Sequence, residues 1–259
     1  MLAIRRERWA GLALIGLLGT FAGRAQPVRV EIKREQGQFR LYRGGKAYFI
    51  KGAVYVGDQK EKFPLRDIVE RGGNSIRSRP PMIDAAGRAG LTVLVNLPMK
   101  MEWADKFDYD NEQAVRRQLD EVRKVVLQYK DHPAVLMWSI GNELSVRYTN
   151  RKVWDAVNQV ARMIHEVDPN HPAMTVVGGL REVEEIRTRC PDLDLLGVNN
   201  YKGIERVPAQ IRANGWEKPY VVTEWVHPAI GRYLRRLGRP PSRKRAPRKL
   251  SATWSGIKA

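Results

Sequence analysis

Cysteine is almost missing from this chain. Cys190 stands alone, which excludes an internal disulfide and leaves too few thiolates for a cysteine zinc site. The histidines His132, His165, His171 and His227 show neither HxH nor HxxxH spacing, so no metal centre is expected. No GxGxxG follows the first strand-like run and no P-loop occurs, so nucleotide binding has no support and no cofactor is expected. Long apolar runs are also absent. The longest, "WAGLALIGLLGTFAG" after Arg5, Arg6 and Arg8, is too short and too glycine-rich for a stable membrane span. With "RAQ" offering a small-residue cleavage site near Ala25, residues 1–25 read as a signal peptide, an uncleaved anchor being the other reading. The expected location is secreted or periplasmic.

Acidic residues are missing from the other end. From Val226 to Ala259 there are ten Lys or Arg and no Asp or Glu. The formal net charge of +18 resembles that of a nucleic-acid binder, but its distribution argues against one. The tail holds most of the excess and residues 1–25 add +3, leaving +5 on residues 26–225. That is ordinary for a soluble enzyme, and no nucleic-acid partner is expected.

What is present is an alternation. "VRVEI", "FRLYR" and "KAYFI" read as strands, with Gly44-Gly45 as a hairpin turn, so residues 26–48 form an N-terminal β-hairpin. Short apolar runs then come at 48–55, 73–78, 91–97, 134–143, 173–179, 193–201 and 219–225. Between them, residues 111–130 place Val115, Leu119, Val122, Val126 and Tyr129 on one helical face, and residues 151–167 do the same with Val153, Val157, Val160, Ile164 and Val167. Strands alternating with helices imply βαβ units and a parallel sheet. Seven strands, several ending in polar residues, predict an α/β (β/α)8 TIM barrel over residues 49–225, incomplete at its C-terminal unit. An open doubly wound sheet is the alternative.

Two of those strands deliver carboxylates. Glu143 closes "AVLMWSIGNE" and Glu224 closes "PYVVTE", 81 residues apart. A barrel of about 250 residues allots roughly 31 to each βα unit, so this spacing matches three units. Strands four and seven of a barrel point their C-terminal ends to the same face, where active sites sit. A pair of carboxyl groups flanking a pocket is what glycosidic bond cleavage requires, one protonated and one ionised. Asn142, next to Glu143, is placed to hold a sugar hydroxyl. Among the aromatics, Trp103, in the segment after strand three, and Trp225 are candidates to stack on sugar rings. Trp138, inside a strand, is better read as core.

"WSIGNE" and "YVVTEW", with "KGAVY", "GGNSIRS" and "LGVNNY" in order, resemble clan A retaining glycoside hydrolases, nearest to the TIM-barrel catalytic domain of family 2. The resemblance spans roughly residues 38–225. It implies that Glu143 is the general acid/base, Glu224 the nucleophile and Asn142 the ligand of the sugar 2-hydroxyl. It further implies that Arg77 keeps the nucleophile ionised and that Tyr201 donates to it. The implied partner is a β-linked glycan or oligosaccharide, cleaved through a covalent glycosyl-enzyme intermediate. An eighth strand, which in clan A usually brings an aromatic to the sugar site, is not recognisable. The alternative is a non-catalytic carbohydrate-binding protein on a degenerate barrel.

The tail, 226–259, is expected to be a frameshift product. Its basic, acid-free composition begins directly after Glu224-Trp225 and carries no apolar period. One base restored at the Trp225-Val226 junction permits codons for a charge-balanced continuation resembling the segment after the nucleophile in related barrels. On that expectation the chain is a truncated glycosidase without activity.

Overall fold

A computed structural model of the chain describes residues 26–55 and 64–225. The segment read as a signal peptide, the basic tail and any eighth strand within that tail lie outside these residues. The chain begins as an antiparallel sheet, β1 (Val30–Glu35), β2 (Gln38–Arg43) and the two-residue β3 (Lys46–Ala47). The expected hairpin is therefore a small three-stranded sheet. Gly44 and Gly45 both have positive φ, +56° and +74°, the geometry of a two-residue turn that matches strand twist.

Seven strands then form one parallel sheet in sequential order: β4 (Gly52–Val54), β5 (Ser75–Ser78), β6 (Thr92–Leu97), β7 (Val135–Ile140), β8 (Ala173–Val177), β9 (Leu195–Asn200) and β10 (Tyr220–Trp225). The helices between them are α1 (Leu65–Glu70), α2 (Ile83–Arg88), α3 (Glu102–Asp105), α4 (Glu112–Tyr129), α5 (Lys152–Val167), α6 (Val183–Arg189) and α7 (Val207–Ala213). Strictly sequential parallel order with a helix in every crossover is the winding of a TIM barrel. Among the described residues β4 and β10 are the two ends of the sheet and are not hydrogen-bonded to each other. Over the described residues the barrel is incomplete, as the sequence reading had it.

The core has two layers because barrel strands are covered on both faces. Val93, Val95, Val135, Trp138, Val177, Leu196, Val198 and Val222 point outward and pack on Val122 and Val126 of α4, Val157, Val160 and Ile164 of α5, and Ile186 of α6. Leu94, Met137, Met174, Val176, Leu195 and Val221 point inward and join Val30, Leu41 and Ile50 from the N-terminal segment. The small sheet therefore plugs the floor of the barrel. Val30 N–H donates to Asn170 O at 2.8 Å and Arg43 Nη2 to Pro133 O at 2.6 Å, both at the N-terminal ends of barrel strands. A cleft of about 470 Å³ between sheet and floor is lined by Val30, Phe39, His165, His171 and Pro219, at the end away from the strand tips.

The two long helices form where the periodicity placed them. The Asn111 side chain caps α4 by accepting from Ala114 N–H at 3.0 Å, meeting one of the orphan donors of the first turn. Gln118, on the same turn as the apolar stripe, is buried because its Oε1 accepts from Lys100 N–H at 2.7 Å. Trp138 is fully buried, and its indole N–H donates to Asp168 at 2.7 Å, beneath the end of α5. No helix among the described residues is long and apolar enough to cross a membrane.

Candidate active site

The inner face of the barrel changes character toward the strand tips. Above the Leu, Met and Val layer it carries Arg77 from β5, Asn199 from β9 and Thr223 from β10, all buried. Buried polar groups persist mostly where their hydrogen-bonding capacity is met, and here they meet one another's apart from Arg77 Nε, which has no partner among the described residues.

Arg77 is 2% exposed and lies within β5. Its Nη2 donates to Glu224 Oε1 at 2.7 Å and to Asn142 Oδ1 at 2.8 Å, and its Nη1 donates to Asn199 Oδ1 at 3.3 Å. Burial pulls the guanidinium pKa down from its ordinary value, while Glu224, then Tyr201 and Glu143, pull it back up. A guanidinium loses its proton only at extreme pH, so Arg77 remains a cation held between carboxylates.

Glu224 is aimed by a break in strand register. Plain alternation puts Val222 and Glu224 on the same, outward face. Between them the pairing of β10 with β9 shifts, so that Val222 opposes Val198 while Glu224 opposes Asn199. A bulge of this kind re-aims a side chain at a barrel rim, and it brings Glu224 onto Arg77. Its other oxygen accepts a hydrogen bond from the Tyr201 hydroxyl. Burial, then the charge of Glu224, raises the Tyr201 pKa well above its usual value, so Tyr201 stays a proton donor at neutral pH.

Glu143 is reached differently. The strand ends at Ile140, three residues earlier than its apolar run suggested, because Gly141 turns the chain at φ +74°. Glu143 itself sits at φ +53°, a left-handed conformation that costs a non-glycine residue about 1–2 kcal/mol. It is held there by its N–H, which donates to Val176 O at 2.7 Å, and by its carbonyl, which accepts from Val146 N–H at 3.0 Å. The side chain is buried and its Oε1 accepts from Asn199 Nδ2 at 3.1 Å. Local strain retained at a buried carboxylate is a mark of function over stability.

The tertiary structure therefore joins five of the expected residues, Arg77, Asn142, Glu143, Tyr201 and Glu224, in one network. Asn199 completes it and was not singled out in the sequence. Its signal was there: a second polar residue in "LGVNNY", inside an otherwise apolar strand. Trp103 is half exposed on α3 with the Arg147 guanidinium 4.7 Å from its ring centroid. Glu102 fastens that segment to the one after β7 through Thr149 and Asn150. Trp225 is half-buried at the end of β10, directly after Glu224. Among the described residues no group of His, Cys, Asp and Glu is arranged to hold a metal ion.

A family model described as "Glycosyl hydrolases family 2, TIM barrel domain" matches residues 82–233. Among solved structures, a β-glucuronidase of Bifidobacterium dentium complexed with coumarin-3-O-glucuronide is 22% identical with a TM-score of 0.59, covering 77% of this chain and 36% of that one. A β-D-glucuronidase of Dictyoglomus thermophilum is 16% identical with a TM-score of 0.56, covering 77% and 39%. A Ruminococcus gnavus β-glucuronidase in complex with a C6-substituted uronic isofagomine is 16% identical with a TM-score of 0.59, covering 77% and 38%. The chain spans less than two-fifths of the length of these structures. Comparison with curated proteins gave no match.

Proposed function

Because this chain belongs to family 2 of the glycosyl hydrolases, whose TIM barrel domain it matches over more than half its length, we propose that it is a retaining β-glycosidase. The observation that carries the reading is the network through which Arg77 and Asn199 tie Glu224 and Glu143 together at the barrel mouth.

Glu224 is the nucleophile. Arg77 and Tyr201 each donate to one of its oxygens, which holds and orients the carboxyl group. Its attack forms a bond to the anomeric carbon as the bond to the leaving oxygen breaks. Glu143 supplies the proton that the leaving oxygen takes. In the second step Glu143, now ionised, takes a proton from water, the water oxygen bonds to the anomeric carbon, and Glu224 is released. Both Asn142 Oδ1 acceptor positions are used by Arg77 and Asn199. Its NH2 is then the group to offer a hydroxyl beside the anomeric carbon. Trp103 and Trp225 supply apolar faces for sugar rings.

The solved neighbours are named as β-glucuronidases, which makes aryl β-glucuronides the first substrates to test, followed by other aryl β-glycosides and β-glucans. On the reading of residues 1–25 as an export signal, the reaction takes place outside the cytoplasm. With a native reading frame past Trp225, the full-length chain should turn over at least one of these substrates with retention at the anomeric carbon, and its carboxyl groups should lie about 5–5.5 Å apart, the retaining separation. Glu224→Gln should lose both turnover and covalent labelling, and undiminished turnover in that variant would end the assignment. Glycan binding at full strength without any turnover would favour the carbohydrate-binding alternative.

A further inference from the structure

Asn199 occupies the centre of the network, and every hydrogen-bonding position on its carboxamide is used. Oδ1 accepts from Thr223 Oγ1 at 2.7 Å and from Arg77 Nη1 at 3.3 Å. Nδ2 donates to Glu143 Oε1 at 3.1 Å and to Asn142 Oδ1 at 3.3 Å. The residue is 2% exposed. Its orientation is dictated by its partners. Arg77 has no acceptor, so it must face the carbonyl oxygen, and Glu143 and Asn142 present acceptors, so they must face the NH2. A flipped amide would set Arg77 N–H against N–H and carboxylate against carbonyl.

An oxygen of a carboxylic acid that accepts an N–H bond is the carbonyl-type oxygen, and the proton resides on the other. We propose that Asn199 is a positioning residue for the acid/base step, fixing Glu143 with Oε1 as acceptor so that Oε2 carries the transferable proton. Arg77, anchored on the same carboxamide, holds Glu224, so Asn199 sets the relative placement of the two carboxyl groups. The N–H bond also stabilises Glu143 once it has given up its proton, which is the charged form the first step creates. This inference rests on the reading of Glu143 as the acid/base.

The test uses the full-length chain with 13C-labelled glutamate, the Glu143 carboxyl resonance being assigned by its loss in Glu143→Gln. Asn199→Asp keeps the acceptor for Arg77 and Thr223 but replaces both N–H donors by an oxygen, and Asn199→Ala removes donor and acceptor. The Glu143 titration midpoint should rise by about one pH unit or more in Asn199→Asp, and the Glu224 midpoint should move less. Asn199→Ala should raise the Glu143 midpoint as well. An unmoved Glu143 midpoint, or a larger shift at Glu224, overturns the inference. A kinetic readout separates positioning from general damage. Loss of turnover in Asn199→Asp should be roughly tenfold or more on alkyl glycosides, which need the acid, and several-fold smaller on dinitrophenyl glycosides, which do not. Equal losses on both would also overturn it. If instead Glu143→Gln shows no preference between the two leaving groups, the acid assignment fails while the titration result stands, so the two failures are distinguishable.

Discussion

Replacing Arg77 and Glu224 singly and together measures whether the buried cation is held by its carboxylate. Arg77 is 2% exposed and the Glu224 side chain 21%, with 2.7 Å between Nη2 and Oε1. At an effective dielectric of about 20 and charge centres about 4 Å apart, the attraction is about 4 kcal/mol. Residual solvent at Glu224 lowers this, so a coupling of about 2–3 kcal/mol is expected. Glu224→Gln leaves a guanidinium buried without its counter-charge, at a cost of about 3 kcal/mol. Arg77→Met leaves Glu224 Oε1 without its donor. Other acceptors lose less: Asn142 Oδ1 keeps Asn199, and Asn199 Oδ1 keeps Thr223. In the double variant both charges are gone, so its loss of stability should fall short of the summed single losses by the coupling energy. Urea unfolding at neutral pH, followed by tryptophan fluorescence, reads this directly provided the m-values agree. A coupling below about 0.5 kcal/mol would show the two sites to be independent and refute the claim that Glu224 compensates the burial of Arg77.

Three further outcomes are expected. Gly141→Ala should cost about 2 kcal/mol, because φ is +74° and the new Cβ would lie 2.7 Å from Leu144 Cδ1, a side chain too buried to yield; unchanged thermal stability and turnover would contradict this account of the Glu143 turn. The His165 imidazolium is stabilised by its hydrogen bond to Asp194, which raises its pKa, so the contribution is complete below the unfolded value of about 6.5 and lost as pH rises through the folded value. With His165 40% exposed, solvent screening keeps the effect under about 1 kcal/mol, and His165→Gln should lower Tm more at about pH 5.5 than at about pH 9; an equal drop at both would rule out the ion pair. The Cys190 thiol is buried, donates to Trp154 O at 3.2 Å and is pushed up to about 12 by burial, so a disulfide reagent at mildly alkaline pH should label it only after unfolding, and rapid labelling of the native chain would show that helix α6 opens readily.

The sequence by itself determined the architecture and singled out two carboxylates that the barrel brings to one mouth. Apolar runs separated by helical stretches leave few alternatives to a parallel barrel, since each run is too short for a helix and too apolar for a half-exposed strand. Barrel geometry then puts the tips of strands four and seven on one face, so Glu143 and Glu224 were legible from spacing alone. Asn142 came from its place beside Glu143, Arg77 and Tyr201 from the resemblance, and all three fell into the same network. What only the tertiary structure decided is which way these groups face. Strands covered on both sides carry no alternating pattern, so inward and outward positions in "YVVTEW" or "LGVNNY" look alike, and Asn199 stayed hidden as one more polar residue near a strand end. Nothing local marks the register shift that turns Glu224 onto Arg77, because it is a property of pairing with β9. The left-handed backbone at Glu143 is held by Val176, from the next strand, against its own steric preference. Contacts between residues more than a hundred positions apart, Arg77 with Asn199 and Glu224, form only once the barrel has wound, and burial then leaves their polar groups no partners but each other.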